Sequence, residues 1–435
     1  QDRAGYRAAG WLVLGVFTGS ASWWLILSGL VGTLRKKMHF RNLTWVNRIS
    51  ALVILAFGMI ALLGFFAPSK VEPSIIEAGR LASSAQVDLQ AFSRADGSRP
   101  LTFPRDFGEH PDFQTEWWYY TGNLTDEQGN RYGYQLTFFR RALVPPGEQG
   151  KRLTNWATDQ AYLAHFAVTD ARRKEHTAFE RLSRGAAGLA GAEDTPFRVW
   201  LEDWRVEEIA QATYRLFARV EIDGEPLILE LELQDVKGPV LHGNLGYSQK
   251  GPDPGNASYY FSQTRLVSQG RLQMDGRNFS VQGTSWMDHE FSTSALSEGQ
   301  VGWDWFSIQL NNGSELMVFQ IRRSDGSIDP FSSGTWIAPD GTVQDLRRGD
   351  FEIIATDTWR SPHTGGVYPH GWIVLVEEFG LKMNIQPVVA DQEVNLSYQY
   401  WEGAVDVEGI FAGSPVAGAG YIELTGYAGS MAGEF

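Results

Sequence analysis

From residue 110 onward the chain falls into stretches in which apolar and polar positions alternate with a period of two, the pattern of half-buried β-strands. The densest is HPDFQTEWWYYTGNL, residues 110–124, where four consecutive aromatics follow a carboxylate. By parity Glu116, Trp118 and Tyr120 share one face of a strand, and Trp117, Tyr119 and Thr121 share the other. Both faces are therefore costly to leave in water. The turn-forming DEQGN and the renewed strand pattern of YGYQLTFFR predict a β-hairpin, with Glu116 at the mouth of an aromatic-walled sheet. Further strands are predicted at residues 160–169, 197–204, 212–222, 227–233, 259–268 and 270–283. After GTSWMDHEFSTSAL the run GWDWFSIQL, the turn NNGS and ELMVFQIR predict a second hairpin, which opens a second β unit ending near residue 428.

The first 69 residues follow a different pattern. Residues 8–34 and 49–69 carry no charge, and each exceeds the roughly 20 residues that cross a hydrocarbon core. Arg35, Lys36, Lys37, Arg41 and Arg48 lie between them with no acid, so the positive-inside rule puts this loop in the cytoplasm and the rest of the chain outside. Two transmembrane helices are expected. The alternative starts the gene at Met38 and reads residues 52–66 as the apolar region of a signal peptide. Residues 70–100 read as a linker with one amphipathic helix at 75–89.

Length and composition narrow the picture. The 435 residues exceed one ordinary domain, so two or three units are expected. Aromatics at 13% and 47 glycines favour an all-β architecture. The absence of cysteine removes disulfide and thiolate chemistry. Gln1 in place of Met marks the chain as processed or a fragment. From Lys70 onward 30 basic residues face 50 acidic ones, a net charge of −20, which argues against nucleic acid or an anionic membrane surface as ligand.

No GxSxG, HExxH, phosphate-binding or dinucleotide motif is present. Candidate chemistry therefore rests on polar groups set in apolar strands, where an unpaired polar atom is costly. His165 lies in AYLAHFAVTD and reads either as a satisfied core histidine or as a catalyst. Asp304 shares a face with Phe306, Ile308 and Leu310 between Trp303 and Trp305, which suits a desolvated general acid or an arginine-bound structural carboxylate. In WMDHEF, Asp288 and Glu290 converge on one face while His289 points away, an awkward geometry for a metal. Glu116 completes the acid–base set, with a structural ion pair to Arg140 or Arg265 as the alternative. No metal or cofactor is expected, and sixteen tryptophans fit an aromatic-lined cavity for an apolar ligand.

Two resemblances add to this. The runs GVFTGSASWWLILSGLVGTLRKKM and WVNRISALVILAFGMIALL resemble the C-terminal end of a lysine-exporter type of amino-acid efflux protein. The rest of such an exporter is missing, so the hairpin reads as an anchor. FPRDFGEHPDFQTEWWYYTGNL, GYQLTFFRRAL, AHFAVTD, NASYYFSQTRL, SWMDHEFSTSAL, GWDWFSIQL, YWEGAV and GYIELTGYA resemble the AttH-like, carotenoid 1,2-hydratase-related family of exported bacterial proteins, labelled secreted hydrolases. That resemblance implies two lipocalin-like β-barrel domains in tandem, at 101–291 and 292–435, after the hairpin (1–69) and linker (70–100). It also implies a cavity in or between the domains. Carried over by motif, Glu116, His165, Asp288, Glu290 and Asp304 are the catalytic candidates, and Trp118, Tyr120, Trp286, Trp303 and Trp305 the substrate-binding ones. The expected function is acid-assisted hydration or hydrolysis of an isoprenoid or lipid-like molecule at the periplasmic face of the cytoplasmic membrane. Here Asp304 or Asp288 gives the proton and Glu116 or His165 orients water. The alternative is a non-catalytic carrier that holds an apolar ligand for an export system.

Overall fold

The computed structural model describes residues 91–148, 158–293 and 296–431. The expected hairpin at 1–69, its signal-peptide alternative and the linker helix lie outside these residues. Among the described residues no helix is long and apolar enough to cross a membrane.

The fold is mainly β, a nearly closed barrel followed by a half-barrel. The first sheet contains β1 (Thr115–Asp126), β2 (Arg131–Ala142), β3 (Gln160–Asp170), β4 (Glu175–Arg184), β5 (Ala190–Asp194), β6 (Phe197–Leu201), β7 (Trp204–Ala210), β8 (Thr213–Ile222), β9 (Glu225–Asp235), β10 (Pro239–Leu241), β11 (Tyr247–Gln249), β12 (Ala257–Met274) and β13 (Arg277–Ser292). Its order is β4-β3-β2-β1-β13-β12-β9-β8-β7-β6-β5, with β10 and β11 paired to β12. β6 packs against β2, β3 and β4, which nearly closes the sheet on itself. The second sheet contains β14 (Gln300–Leu310), β15 (Glu315–Arg323), β16 (Ser333–Ile337), β17 (Val343–Arg347) and β18 (Glu352–Ala355). A small ribbon of β19 (Thr358–Arg360) and β20 (Val367–Pro369) interrupts it before β21 (Trp372–Val376), β22 (Leu381–Pro387), β23 (Glu393–Asn395), β24 (Gln399–Phe411) and β25 (Ser414–Thr425). The order is β17-β16-β15-β14-β25-β24-β22-β21-β18.

Two strand expectations need correction. Residues 197–204 are not one strand, because Glu202 takes a positive φ of 57° and separates β6 from β7. The break expected near residue 269 is absent: β12 runs on to Met274, turns at Asp275–Gly276, where φ is 52° and 67°, and returns as β13. Gly270 and Gly283 thus lie inside strands. A Cβ at Gly270 would sit 2.1 Å from the Glu230 carbonyl oxygen, and one at Gly283 2.0 Å from that of Asn123. Glycine here permits close approach of neighbouring strands and does not end them.

Parity on β1 explains its aromatic density. Trp118, Tyr120 and Leu124 enter the core of the first barrel with Leu216, Leu229 and Phe261. The other face meets the second sheet, where Tyr119, Tyr260 and Trp286 pack with Trp305, Phe319 and Tyr421. The half-barrel keeps a separate core around Phe306, Trp372, Trp401 and Leu424. Phe103 and Phe107 pack on Phe261 in the first barrel, and Trp118 Nε1 donates to the Phe107 carbonyl at 2.9 Å.

Candidate active site

The registers of both sheets bring distant polar side chains into rows. Tyr119 lies opposite Asp288 on one side and Thr137 on the other, Thr137 opposite His165, and His165 opposite Glu180. Ser262 extends the row beyond Asp288. On the second sheet Glu402 lies opposite Glu423, and Glu423 opposite Trp305. Where these surfaces face each other they leave a cavity of about 150 Å³, a volume comparable to one that holds benzene in an engineered protein core. Its aromatic walls are Trp117, Tyr119, Phe139, Tyr260, Trp303, Trp305, Phe319, Tyr398 and Tyr400, and its polar groups include His165, Lys250, Asp288, Glu290 and Glu423.

Asp288 is fixed by three donors. Ser262 Oγ donates to Oδ1, Trp286 Nε1 donates to the same oxygen at 2.6 Å, and Tyr260 Oη donates to Oδ2 at 2.9 Å. Burial still pushes its carboxyl up to about 7 against these donors, with the Glu290 charge adding to the rise. A group poised there can give or take a proton at neutral pH. Lys250 Nζ lies 3.4 Å from Glu290 Oε1 and 3.9 Å from the Phe319 ring centroid, so a cation already engages this wall by charge and by π-face.

His165 bridges the two sheets. Its Nε2 lies 3.1 Å from Glu180 Oε2, and the Tyr400 hydroxyl lies 2.8 Å from its Nδ1. Burial alone would raise the Glu180 carboxyl, but His165 and Ser397 hold it below its usual value. An ionised carboxylate only accepts, so Nε2 carries the proton and Nδ1 accepts from Tyr400. Gln135 Nε2 donates to the same hydroxyl at 2.9 Å. Burial pushes the Tyr400 phenol well above its usual value, keeping it neutral.

Glu116 is not at a cavity mouth. It sits inside the first barrel with no exposed surface, accepting from Arg140 Nε at 2.7 Å and lying 2.7 Å from both His110 Nδ1 and His289 Nε2. Burial alone would raise its carboxyl, but Arg140 and His110 hold it well below the usual range. His110, Glu116 and His289 are of metal-ligand type, with ligand atoms within 4.8 Å of one another. Each histidine lies at hydrogen-bond distance from Glu116 and Arg140 occupies another side of that carboxylate, while His289 Nδ1 and Arg140 Nη1 are buried without a hydrogen-bond partner.

Asp304 also lies away from the cavity. It faces the half-barrel interior, bound by Arg322 Nε at 2.9 Å, Gln320 Nε2 at 2.8 Å and the Tyr427 hydroxyl at 3.0 Å. Burial raises its carboxyl and Arg322 opposes the rise. Alternation decides this: Trp303 and Trp305 take the cavity side of β14, which sends Asp304 to the other. Trp118 and Tyr120 are core residues of the first barrel, and Trp286 stands behind the wall as a donor to Asp288. The structure thus gathers His165, Asp288, Glu290, Trp303 and Trp305 around one cavity. It places Glu116, Asp304, Trp118 and Tyr120 elsewhere. The sequence reading passed over Tyr119, Lys250, Tyr260, Tyr400, Glu402 and Glu423. Glu402 in YWEGAV and Glu423 in YIELTGYA carried the same signal as Asp304, a single carboxylate in an apolar strand.

The family described as AttH-like matches residues 94–427. The crystal structure of a protein assigned as AttH from Nitrosomonas europaea is 34% identical with a TM-score of 0.67, covering 77% of this chain and 100% of that one. Kievitone hydratase from Nectria haematococca is 14% identical with a TM-score of 0.57, covering 78% and 96%, a likeness of fold alone. No curated protein matches the chain.

Proposed function

This chain belongs to the AttH-like family, and from that premise we propose that it is an enzyme adding water to, or hydrolysing, a hydrophobic isoprenoid- or lipid-like molecule in the inter-barrel cavity. The observation that carries the reading is Asp288, a carboxyl poised near pH 7 on the wall of an aromatic cavity. The kievitone hydratase fold agrees with it.

In the hydration form, a proton passes from a cavity carboxyl to one alkene carbon as the π-bond breaks. The π-faces of Trp117, Trp303 and Trp305 and the negative carboxyls favour the cationic carbon that results. Water held by Tyr400, whose hydroxyl donates to His165, adds to that carbon, and its proton returns to a carboxylate. In hydrolysis the same acid protonates the leaving group. The cavity volume admits the reacting end of such a molecule, with the remainder extending through the open side. The reading also holds the barrels at the outer face of the cytoplasmic membrane, on the strength of the uncharged stretches 8–34 and 49–69 and the basic loop between them.

The test is native mass spectrometry of the purified protein with extraction of any co-purified lipid. A hydrated or hydrolysed product in the wild type, with the intact compound in Asp288→Asn, is the expected result. An unchanged ligand bound equally by both proteins would establish the carrier instead. Asp304→Asn serves as control: it is expected to reduce stability and leave turnover by the folded fraction within about threefold, because Asp304 does not reach the cavity.

A further inference from the structure

Glu402 and Glu423 stand directly opposite each other on adjacent strands, so their side chains are cross-strand neighbours on one face of the sheet. Glu402 is fully buried, and Glu423 lines the cavity. The Tyr119 hydroxyl donates to Glu402 Oε1, and Trp303 Nε1 donates to Glu423 Oε1 at 2.6 Å. No donor reaches Glu402 Oε2, which is buried. Among the described residues neither carboxyl forms an ion pair with Lys, Arg or His. The groups facing the pair from neighbouring strands are Tyr119, Asp288, Glu290, Tyr400 and Tyr421, all acids, and Lys250 is engaged by Glu290.

Two neighbouring carboxylates without a cation, one fully buried and one half-buried on the cavity wall, do not both ionise in the resting protein. A proton between them supplies the donor that Glu402 Oε2 lacks. We propose that Glu402 and Glu423 share one proton, which Glu423 presents to the cavity as a second acid centre distinct from Asp288. Burial agrees, pushing Glu402 well above the usual carboxylate range and Glu423 up to about 7.

The assignment rests on the reaction proposed above and divides its labour. Asp288 is surrounded by three donors that suit its ionised form. The glutamate pair carries its proton by construction. Glu423 therefore gives the proton that forms the new C–H bond, or that leaves with the departing group, and Asp288 takes the proton lost by water. The pair is then doubly negative and Asp288 neutral, and exchange through solvent as product leaves restores both. Glu402 is a positioning residue that acts through Glu423.

Infrared difference spectroscopy of the full chain tests the pair without substrate. At pH 8 ordinary carboxyls are ionised, so a protonated-carboxyl C=O band marks a perturbed group. The band is expected to survive Asp288→Asn and vanish in Glu402→Gln. Tyr119→Phe, which removes a donor to the ionised form, is expected to move its titration upward by roughly one pH unit. The absence of a Glu402-dependent band, in protein whose unfolding stays cooperative, overturns the pair whatever the turnover. Citronellol, a small isoprenoid alkene, serves as the turnover probe. A hundredfold loss in Glu423→Gln is expected, and a rate within threefold of wild type overturns the donor role. Should the wild type show the band and hydrate no isoprenoid alkene, the reaction reading falls and the proton-sharing pair stands.

Discussion

Glu116 and Asp288 are both buried carboxylates next to strand aromatics, and their surroundings send them in opposite directions. Arg140 and His110 outweigh burial at Glu116, whereas at Asp288 burial outweighs three neutral donors. Glu116→Gln leaves Arg140 buried without its counter-charge and is expected to cost about 3–5 kcal/mol, read from urea unfolding at pH 7. Linkage fixes the pH dependence. Unfolded carboxyls ionise near pH 4, so raised groups such as Asp288 stabilise the fold fully below that pH, and the contribution is lost as pH rises through about 7. Asp106, held down to about 2 by His110 and Thr102 against burial, works the other way: its contribution is present above pH 4 and lost as pH falls toward 2. Asp288→Asn, which stays neutral, is therefore expected to lose less stability than wild type between pH 5 and pH 8. Urea midpoints across that range decide it, and parallel curves for the two proteins would count against the raised Asp288.

At the level of elements, β1 shows why a four-aromatic run is stable: each face meets a different core, and of the four rings only Trp117, on the cavity wall, stays half-buried. The parity that predicts this was legible in the sequence because alternation is a local property of an extended chain. β4 was not legible. It ends the sheet path and is half-buried along nearly all its length, which leaves no contrast between faces to read. The long β12–β13 hairpin hid its turn for a related reason, since glycines inside the strands imitate strand ends. Gly283→Ala is expected to destabilise by about 1–3 kcal/mol, because its Cβ would meet a backbone oxygen that cannot move independently of the sheet. Thermal unfolding checks this, and an unchanged Tm would show that the sheet relaxes there.

At the scale of the whole molecule the two barrels share an apolar seam and a cavity, so neither half is complete alone. Tyr119, Tyr260 and Trp286 from the first barrel would face water without the second sheet. Expression of residues 91–293 alone is therefore expected to give aggregated protein, and a soluble monomer by size-exclusion chromatography would show that the seam is dispensable. The proposed membrane orientation predicts that protease added to spheroplasts digests the barrels while cytoplasmic proteins survive. Protection of the barrels would place them inside.

Local spacing in the chain was enough to specify mainly β structure, the two faces of β1, the convergence of Asp288 with Glu290 and the opposite course of His289. These follow from a two-residue period and need no knowledge of what packs where. Tertiary structure alone decided which carboxylates meet. Glu402 and Glu423 are brought opposite by the register of β24 and β25, and Tyr119 reaches them only because the first barrel lies against the second. It also decided that Asp304 turns toward Arg322 while Asp288 turns toward the cavity. Both read alike as carboxylates in aromatic strands. Parity says that a side chain has a face, but what occupies that face is set by the strands folded against it, for Asp304 both Arg322 on the next strand and Tyr427 more than a hundred residues on.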